Sequence, residues 1–313
     1  MSEPLTQTQM LLELEPVVAE NLNRHLTMAK DWFPHQYVPW SDGRNYDGPL
    51  DGDPWDVSDS KMSDVARSAL IVNLLTEDNL PSYHHEIATL FGREAAWGDW
   101  VHRWTAEEGR HGIAIRDYLL TTRAVDPVQL EQLRMDHMSV GYTAQHDDML
   151  RSLAYVSFQE LATRVSHRNT GKITGDAVGD QLLARVAADE NLHMVFYRNL
   201  LGAALEIDPS QTMRAITDVV TTFQMPGTDI AGFQRKAVEM AIAGVYDIRQ
   251  HRDDVVAPVL RYWNVFEIEG LDAEGEAART ELAKFMDELE KQALRFEDKR
   301  DALKARMAAR GTA

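Results

Sequence analysis

Two Glu-x-x-His pairs, Glu108/His111 and Glu190/His193, are the only two in this 313-residue sequence. Glutamate and histidine three residues apart on a helix share one face and can converge on a metal ion. Both pairs fall on apolar rows. The first row runs Trp97, Val101, Trp104, Glu108, His111, Ile115 and then Tyr118 or Leu119. The second runs Leu183, Val186, Glu190, His193, Tyr197 and Leu200. Two further rows each bring one glutamate inward: Ala66, Leu70, Leu74 (or Asn73) and Glu77, then Met149, Leu153, Val156, Glu160 and Thr163. An unpaired buried carboxylate is costly, and four facing one core also repel each other. Multivalent cations among them remove both penalties.

The spacing repeats. Glu77 precedes Glu108 by 31 residues, Glu160 precedes Glu190 by 30, and the two pairs lie 82 apart. Each half therefore reads as a helix with one glutamate, a turn, and a helix with Glu-x-x-His. Four carboxylates and two imidazoles are the ligand set of carboxylate-bridged di-iron or di-manganese four-helix bundles. Glu107, about 100° round the helix from Glu108, is read as outside the metal contacts. Asp189, beside Glu190, is placed to orient a ligand histidine. His84, His85, His102, His137, His146, His167 and His251 lack a second ligand at helical spacing and are assigned to surface or capping roles.

Composition narrows the chemistry. The chain has no cysteine, which excludes disulfides, thiolate catalysis and cysteine-held zinc or iron–sulfur sites. Its 32 Lys+Arg against 50 Asp+Glu give a formal charge of −18, which disfavours nucleic-acid binding. The N-terminus does not read as a signal peptide and no apolar run is long enough for a membrane span, so a cytoplasmic protein is expected. No glycine-rich phosphate loop and no strand–helix alternation is present.

The elements that must position these residues are helical. Helices are expected over 5–31, 63–91 (kinked at Pro81), 95–122, 149–168 (ending near Asn169-Thr170-Gly171), 177–204, 210–224 and 233–250. Trp32 to Trp55, with several prolines and glycines among aromatics, reads as an irregular wrap. Tyr262–Gly270 reads as extended, a small hairpin, and the chain from Ala273 onward as a solvated helix.

Leu75–Tyr83, Trp104–Gly112, Ser157–Thr163 and Ala187–His193 resemble the helix signatures of the soluble acyl-[acyl-carrier-protein] desaturases, in their actinobacterial, mycobacterial-type branch. Arg261–Val265 and Gly270–Gly275 resemble that family's C-terminal hairpin region. The resemblance implies an all-α, ferritin-like four-helix bundle with a di-iron centre, flanking helices and a small C-terminal hairpin. It would be a single domain over 1–313: an N-terminal helix and wrap (1–62), the metal-binding core (63–204), and further helices, hairpin and tail (205–313). Glu77, Glu108, His111, Glu160, Glu190 and His193 would ligate two irons. Thr163 would lie on the oxygen-binding side, and Trp32, Asp189 and His111 match a route for electrons from the surface.

The implied activity is O2-dependent desaturation of an acyl chain on acyl carrier protein, in fatty-acid or mycolic-acid biosynthesis, by a homodimer. Saturated C–H bonds are beyond side-chain acids and bases, so a metal oxidant is required. An external reductant such as a ferredoxin is implied as well. An acidic carrier protein would need a local basic patch, with Lys30, Lys61 and Arg67 as candidates near the channel mouth. Two departures stand out: Tyr142–Leu153 is shorter than in the family, and Gly109 replaces an asparagine. Three alternatives remain: a radical-type oxidase subunit, which wants a tyrosine where Ile115 stands; iron storage or peroxide scavenging, whose chains lack the aromatic wrap; and a metal-free helical scaffold.

Overall fold

In the computed structural model, residues 5–228, 230 and 232–311 are described. Helix α1 (Gln7–Met28) begins at Thr6, whose side chain and that of Gln9 form a reciprocal capping box. The wrap follows, with short 3-10 turns at Pro34–Gln36, Trp40–Asp42 and Val57–Asp59 and a bridge between Tyr46 and Asp53. Arg123 pins it to the bundle, pairing with Asp59 at 2.9 Å and donating to the Pro54 carbonyl at 2.8 Å.

Ser63 caps α2 (Asp64–Asp78), and Asn79 ends it, so the expected kink at Pro81 is a break into α2 and α3 (Leu80–Phe91). Proline accepts this position because the first turn of a helix needs no N–H donor. Gly92, at φ 92°, ends α3, and α4 (Ala95–Thr121) returns antiparallel to it. α4 runs unbroken through Gly109, where an added Cβ would meet only Leu80 at 3.7 Å. At Gly112 the fit is closer: a Cβ would stand 3.3 Å from Asp78 and 3.6 Å from the Glu77 side chain.

α5 (Pro127–Val140) was not anticipated from the sequence. It leads through an irregular Gly141–Asp148 stretch into α6 (Met149–Ile173), capped by Asp148. α6 does not end at Asn169-Thr170-Gly171 as expected but continues to Ile173, because Thr170 and Gly171 are buried against neighbouring helices. α7 (Ala177–Ile207) starts at Asp176, which accepts from the Val178 and Gly179 amides. α6 and α7 pack along most of their length, α2 packs on α4, and α1 lies across α7 and α4.

The remaining helices are α8 (Pro209–Thr222), α9 (Phe233–Ala243), α10 (Ile248–Gln250), α11 (Ala257–Tyr262) and α12 (Ala273–Gly311). A π-helical turn, His251–Val256, joins α10 to α11. No hairpin forms over Tyr262–Gly270: α11 ends at Tyr262, and a turn follows in which Trp263 and Val265 are buried. Anchoring by those two side chains leaves no partner strand to pair with, and no named strand occurs among the described residues. No described helix is long and apolar enough to cross a membrane. The core runs through α1, α4, α6, α7 and α8.

Candidate metal centre

The four expected rows face one another. Every named residue of these rows is buried, so glutamates and histidines share the interior with the apolar side chains that predicted their direction. Glu77 comes from the last turn of α2, Glu108 and His111 from the middle of α4, Glu160 from α6, and Glu190 and His193 from α7.

His111 Nδ1 lies 3.6 Å from Glu77, 3.3 Å from Glu108 and 3.3 Å from Glu190. His193 Nδ1 lies 2.7 Å from Glu108 and 3.6 Å from Glu160. Two groups of ligand atoms result, Glu77/Glu108/His111/Glu190 and Glu108/Glu160/Glu190/His193, each within 4.8 Å. They share Glu108 and Glu190. Two cation positions bridged by two carboxylates fit this arrangement.

Glu108 Oε1, Glu160 Oε2, His111 Nδ1 and His193 Nδ1 are all buried and face one another as ion pairs, without an aligned hydrogen bond. Buried polar atoms are normally satisfied, so four orphans aimed at one another fit metal ligands. The electrostatics agree. Burial alone would lower His111 and His193, yet the Glu108 carboxylate and its neighbours hold both well above their ordinary value. Burial, with Glu108 and Glu190 beside it, pushes Glu160 well up. The protein alone compensates this charge with protons, which cations would displace.

The outer nitrogens are pinned. His193 Nε2 lies 2.9 Å from Glu107 Oε2, which also lies 2.9 Å from His25 Nε2 and is paired on its other oxygen with Arg103. His25, Glu107 and His193 form a third ligand-like group, in which Glu107 Oε2 already joins the two imidazoles. Glu107 is thus outside the inner set as expected, yet buried. On the opposite side His111 Nε2 lies 3.5 Å from Asp189 Oδ2. Trp32 donates to that same oxygen at 2.6 Å and Arg110 at 3.1 Å, while Arg185 pairs with the other. Burial would raise the Asp189 carboxyl, but hydrogen bonds from His111 and Trp32 and the charge of Arg185 hold it at about 2.

Thr163 Oγ1 donates to Glu190 Oε2 at 3.0 Å, and Trp104 donates to Glu160 Oε1 at 2.9 Å. The structure therefore brings together the six expected ligands, Thr163, Asp189 and Trp32. Lys30, Lys61 and Arg67 are not among the residues that line the cavity beside the carboxylates. Lys61 lines a separate hollow with Tyr118 and Asp176, and Arg67 pairs with Asp64. Arg67 lies in the first turn of α2, about 15 Å from Glu77 at 1.5 Å per residue, and Lys61 precedes the helix.

The surface assignment also fails for His167, which is buried with Nε2 2.9 Å from Glu77 Oε1. His137 is buried on α5, and His251 stacks on Phe223. A signal for His167 existed, because it lies seven residues after Glu160 on the row that includes Thr163. His25 and Glu107 were missed because their partners lie 82 and 86 residues away.

A cavity opens from the carboxylates between α3 and α6, past Leu80, Ile87 and Val156 to Tyr83, Glu86 and Tyr155. A second arm, under α9, is lined by Val72, Met225, Phe233 and Met240. Thr76, Thr163 and Pro226 line both.

A helical bundle with paired carboxylate–histidine clusters and an apolar cavity beside them fits the ferritin-like carboxylate class, and the comparisons narrow it. Residues 6–310 match the family model described as fatty acid desaturase, and the chain belongs to that family. It is 53% identical over 305 residues to the chain named acyl-[acyl-carrier-protein] desaturase DesA1 of Mycobacterium tuberculosis, covering 95% of this chain and 90% of that one. It is 30% identical over 298 residues to palmitoyl-[acyl-carrier-protein] 4-desaturase 3 of Ophrys sphegodes, covering 89% and 74%. The X-ray structure of the acyl-ACP desaturase DesA2 from Mycobacterium tuberculosis H37Rv superposes with a TM-score of 0.72 at 31% identity, covering 88% of this chain and 99% of that one.

Proposed function

We propose that this chain desaturates an acyl chain carried on acyl carrier protein, with two irons held by Glu77, Glu108, His111, Glu160, Glu190 and His193. The observation that carries the reading is the pair of ligand groups sharing Glu108 and Glu190. The irons would supply the O2 chemistry needed to remove hydrogen from unactivated C–H bonds.

The protein's own part is placement. Glu107 and Asp189 turn the inner nitrogens of His193 and His111 toward the cluster. Trp104 fixes one oxygen of Glu160, and Thr163 fixes one of Glu190. The cavity walls of Leu80, Ile87, Val156 and Met225 exclude water and suit a hydrocarbon chain running past the carboxylates. Trp32, Asp189 and His111 form a hydrogen-bonded line from the wrap to the cluster, in keeping with entry of electrons from a partner such as ferredoxin. The whole chain acts as one ferritin-like domain, in the cytoplasm and as a homodimer, within fatty-acid or mycolic-acid biosynthesis.

The test is metal analysis of the purified protein, then incubation with saturated acyl carrier proteins of several chain lengths, a reducing partner and O2. Two irons per chain and an unsaturated product are expected. Tight metal binding with no product at any chain length would replace this reading with storage or another oxidase.

A further inference from the structure

We propose that His84 on α3 and His102 on α4 form a surface site for a divalent transition-metal ion of the zinc or copper type. The site lies apart from the carboxylate centre and does not depend on the function proposed above.

The two imidazoles stand side by side across the α3–α4 pair, with ring centres 6.1 Å apart and planes tilted by 35°. Two imidazoles on one ion, each bonded at ~2.0–2.1 Å, have ring centres roughly 5–6 Å apart. His102 is exposed, so a small turn of its side chain closes the difference.

Hydrogen bonding decides which nitrogen of His84 is available. Thr105 lies one turn after His102 on α4, and its Oγ1 donates to the Val101 carbonyl at 2.7 Å. A hydroxyl has one proton to give, so toward His84 Nδ1, at 2.8 Å, the same oxygen accepts. The neutral ring therefore carries its proton on Nδ1, and the lone pair is left on Nε2. Among the described residues nothing engages that nitrogen, and His102 makes no hydrogen bond or ion pair. Thr105 is thus the outer partner that metal-ligating histidines commonly have on the nitrogen turned away from the ion.

Electrostatics keep that lone pair free. Burial, and then the neighbouring His102, Arg93 and His85, hold His84 below its ordinary value, so its ring is neutral at neutral pH. Two neutral imidazoles suit zinc, copper or nickel, whereas magnesium and calcium require oxygen ligands. Water would fill the remaining positions. An ion there ties α3 to α4, and Tyr83 and Glu86, on either side of His84, line the cavity. The tie therefore stiffens the wall of α3 that the cavity meets.

Zinc titration of the purified protein by calorimetry, with the melting temperature read in parallel, tests this. Wild type is expected to take up one zinc ion more than His84→Gln or His102→Gln. That ion should raise the melting temperature of wild type above that of either variant. Thr105→Val removes the acceptor that fixes the tautomer and should weaken the ion by about tenfold or more. His85→Gln alters a neighbour on another side of α3 and should bind as wild type does. Equal uptake by wild type, His84→Gln and His102→Gln overturns the site, and so does loss of the ion in His85→Gln. A wild-type melting temperature that zinc leaves unmoved overturns the tie between the two helices.

Discussion

Trp32 Nε1 stands 2.6 Å from Asp189 Oδ2, joining the irregular N-terminal wrap to the helix that carries Glu190 and His193 across 157 residues of sequence. The same oxygen meets His111 Nε2 at 3.5 Å, and Arg110 lies over the Trp32 ring at 4.9 Å. Asp189→Asn keeps the shape but weakens the hold on His111. Turnover with a protein reductant should fall about tenfold or more, as for other outer partners of metal ligands. Trp32→Phe should retain full metal content and lose turnover. Equal turnover of Trp32→Phe and wild type would remove Trp32 from any electron route.

Glu108 belongs to both ligand groups, so its loss damages both metal positions. Glu108→Ala should abolish desaturation and leave fewer than two metals per chain. The metal-free bundle should stay folded but melt lower than wild type, because His111 and His193 lose the carboxylate they share. Circular dichroism melts with metal analysis check both halves, and a collapsed fold would show that Glu108 is structural.

The cavity arm between α3 and α6 follows α6 from Glu160 back to Ser152, about 12 Å at 1.5 Å per residue, and Glu86 stands among its lining residues. A hydrocarbon cannot solvate a carboxylate, so chains that reach Glu86 are penalised. Glu86→Leu should shift the product profile toward longer acyl groups. An unchanged profile across chain lengths would place the end of the acyl chain elsewhere.

His251 accepts from Tyr246 OH at 2.8 Å and stacks on Phe223, and burial holds it down at about 4. The unfolded chain takes up this proton near pH 6.5 and the folded chain only near pH 4. Stability is therefore full above pH 6.5 and declines toward pH 4, by about 3 kcal/mol from this group. His251→Gln should flatten that part of the curve in denaturant titrations at a series of pH values. A parallel curve for the variant would show His251 to be without influence.

Arg123 ties down the wrap through Asp59, the carbonyls of Asp53 and Pro54, and the face of Tyr46. Arg123→Ala leaves Asp59 with Arg44 alone and removes the donor to two carbonyls, so the wrap should loosen. Limited proteolysis should then cut first within residues 44–59. Protection equal to wild type would mean that the aromatic side chains alone hold the segment.

The inward glutamates and histidines were legible because a charged residue on an apolar row has only one face to occupy, and helical spacing assigns that face without knowledge of the neighbour. The hairpin repeat, Glu77 to Glu108 and Glu160 to Glu190, follows from the same local rule. His167 sat on such a row and was still passed over, since nothing near it in sequence supplies its partner: Glu77 and Asn73 come from a helix 90 and more residues earlier. Asp189 and Trp32 became connected only through a family pattern, and Glu107 looked like a flank of Glu108 until His25 and His193 closed on it.

Periodicity and composition thus determined an all-helical chain, the inward glutamates and histidines, and the exclusion of thiol chemistry. Tertiary packing alone decided which carboxylates stand between the two histidines, which nitrogen of each histidine faces inward, where the cavity runs, and that Tyr262–Gly270 turns instead of pairing. The physical reason is range. Helical register is fixed by neighbours three and four residues away, whereas hydrogen-bond partners and cavity walls are supplied by helices brought together across the whole chain.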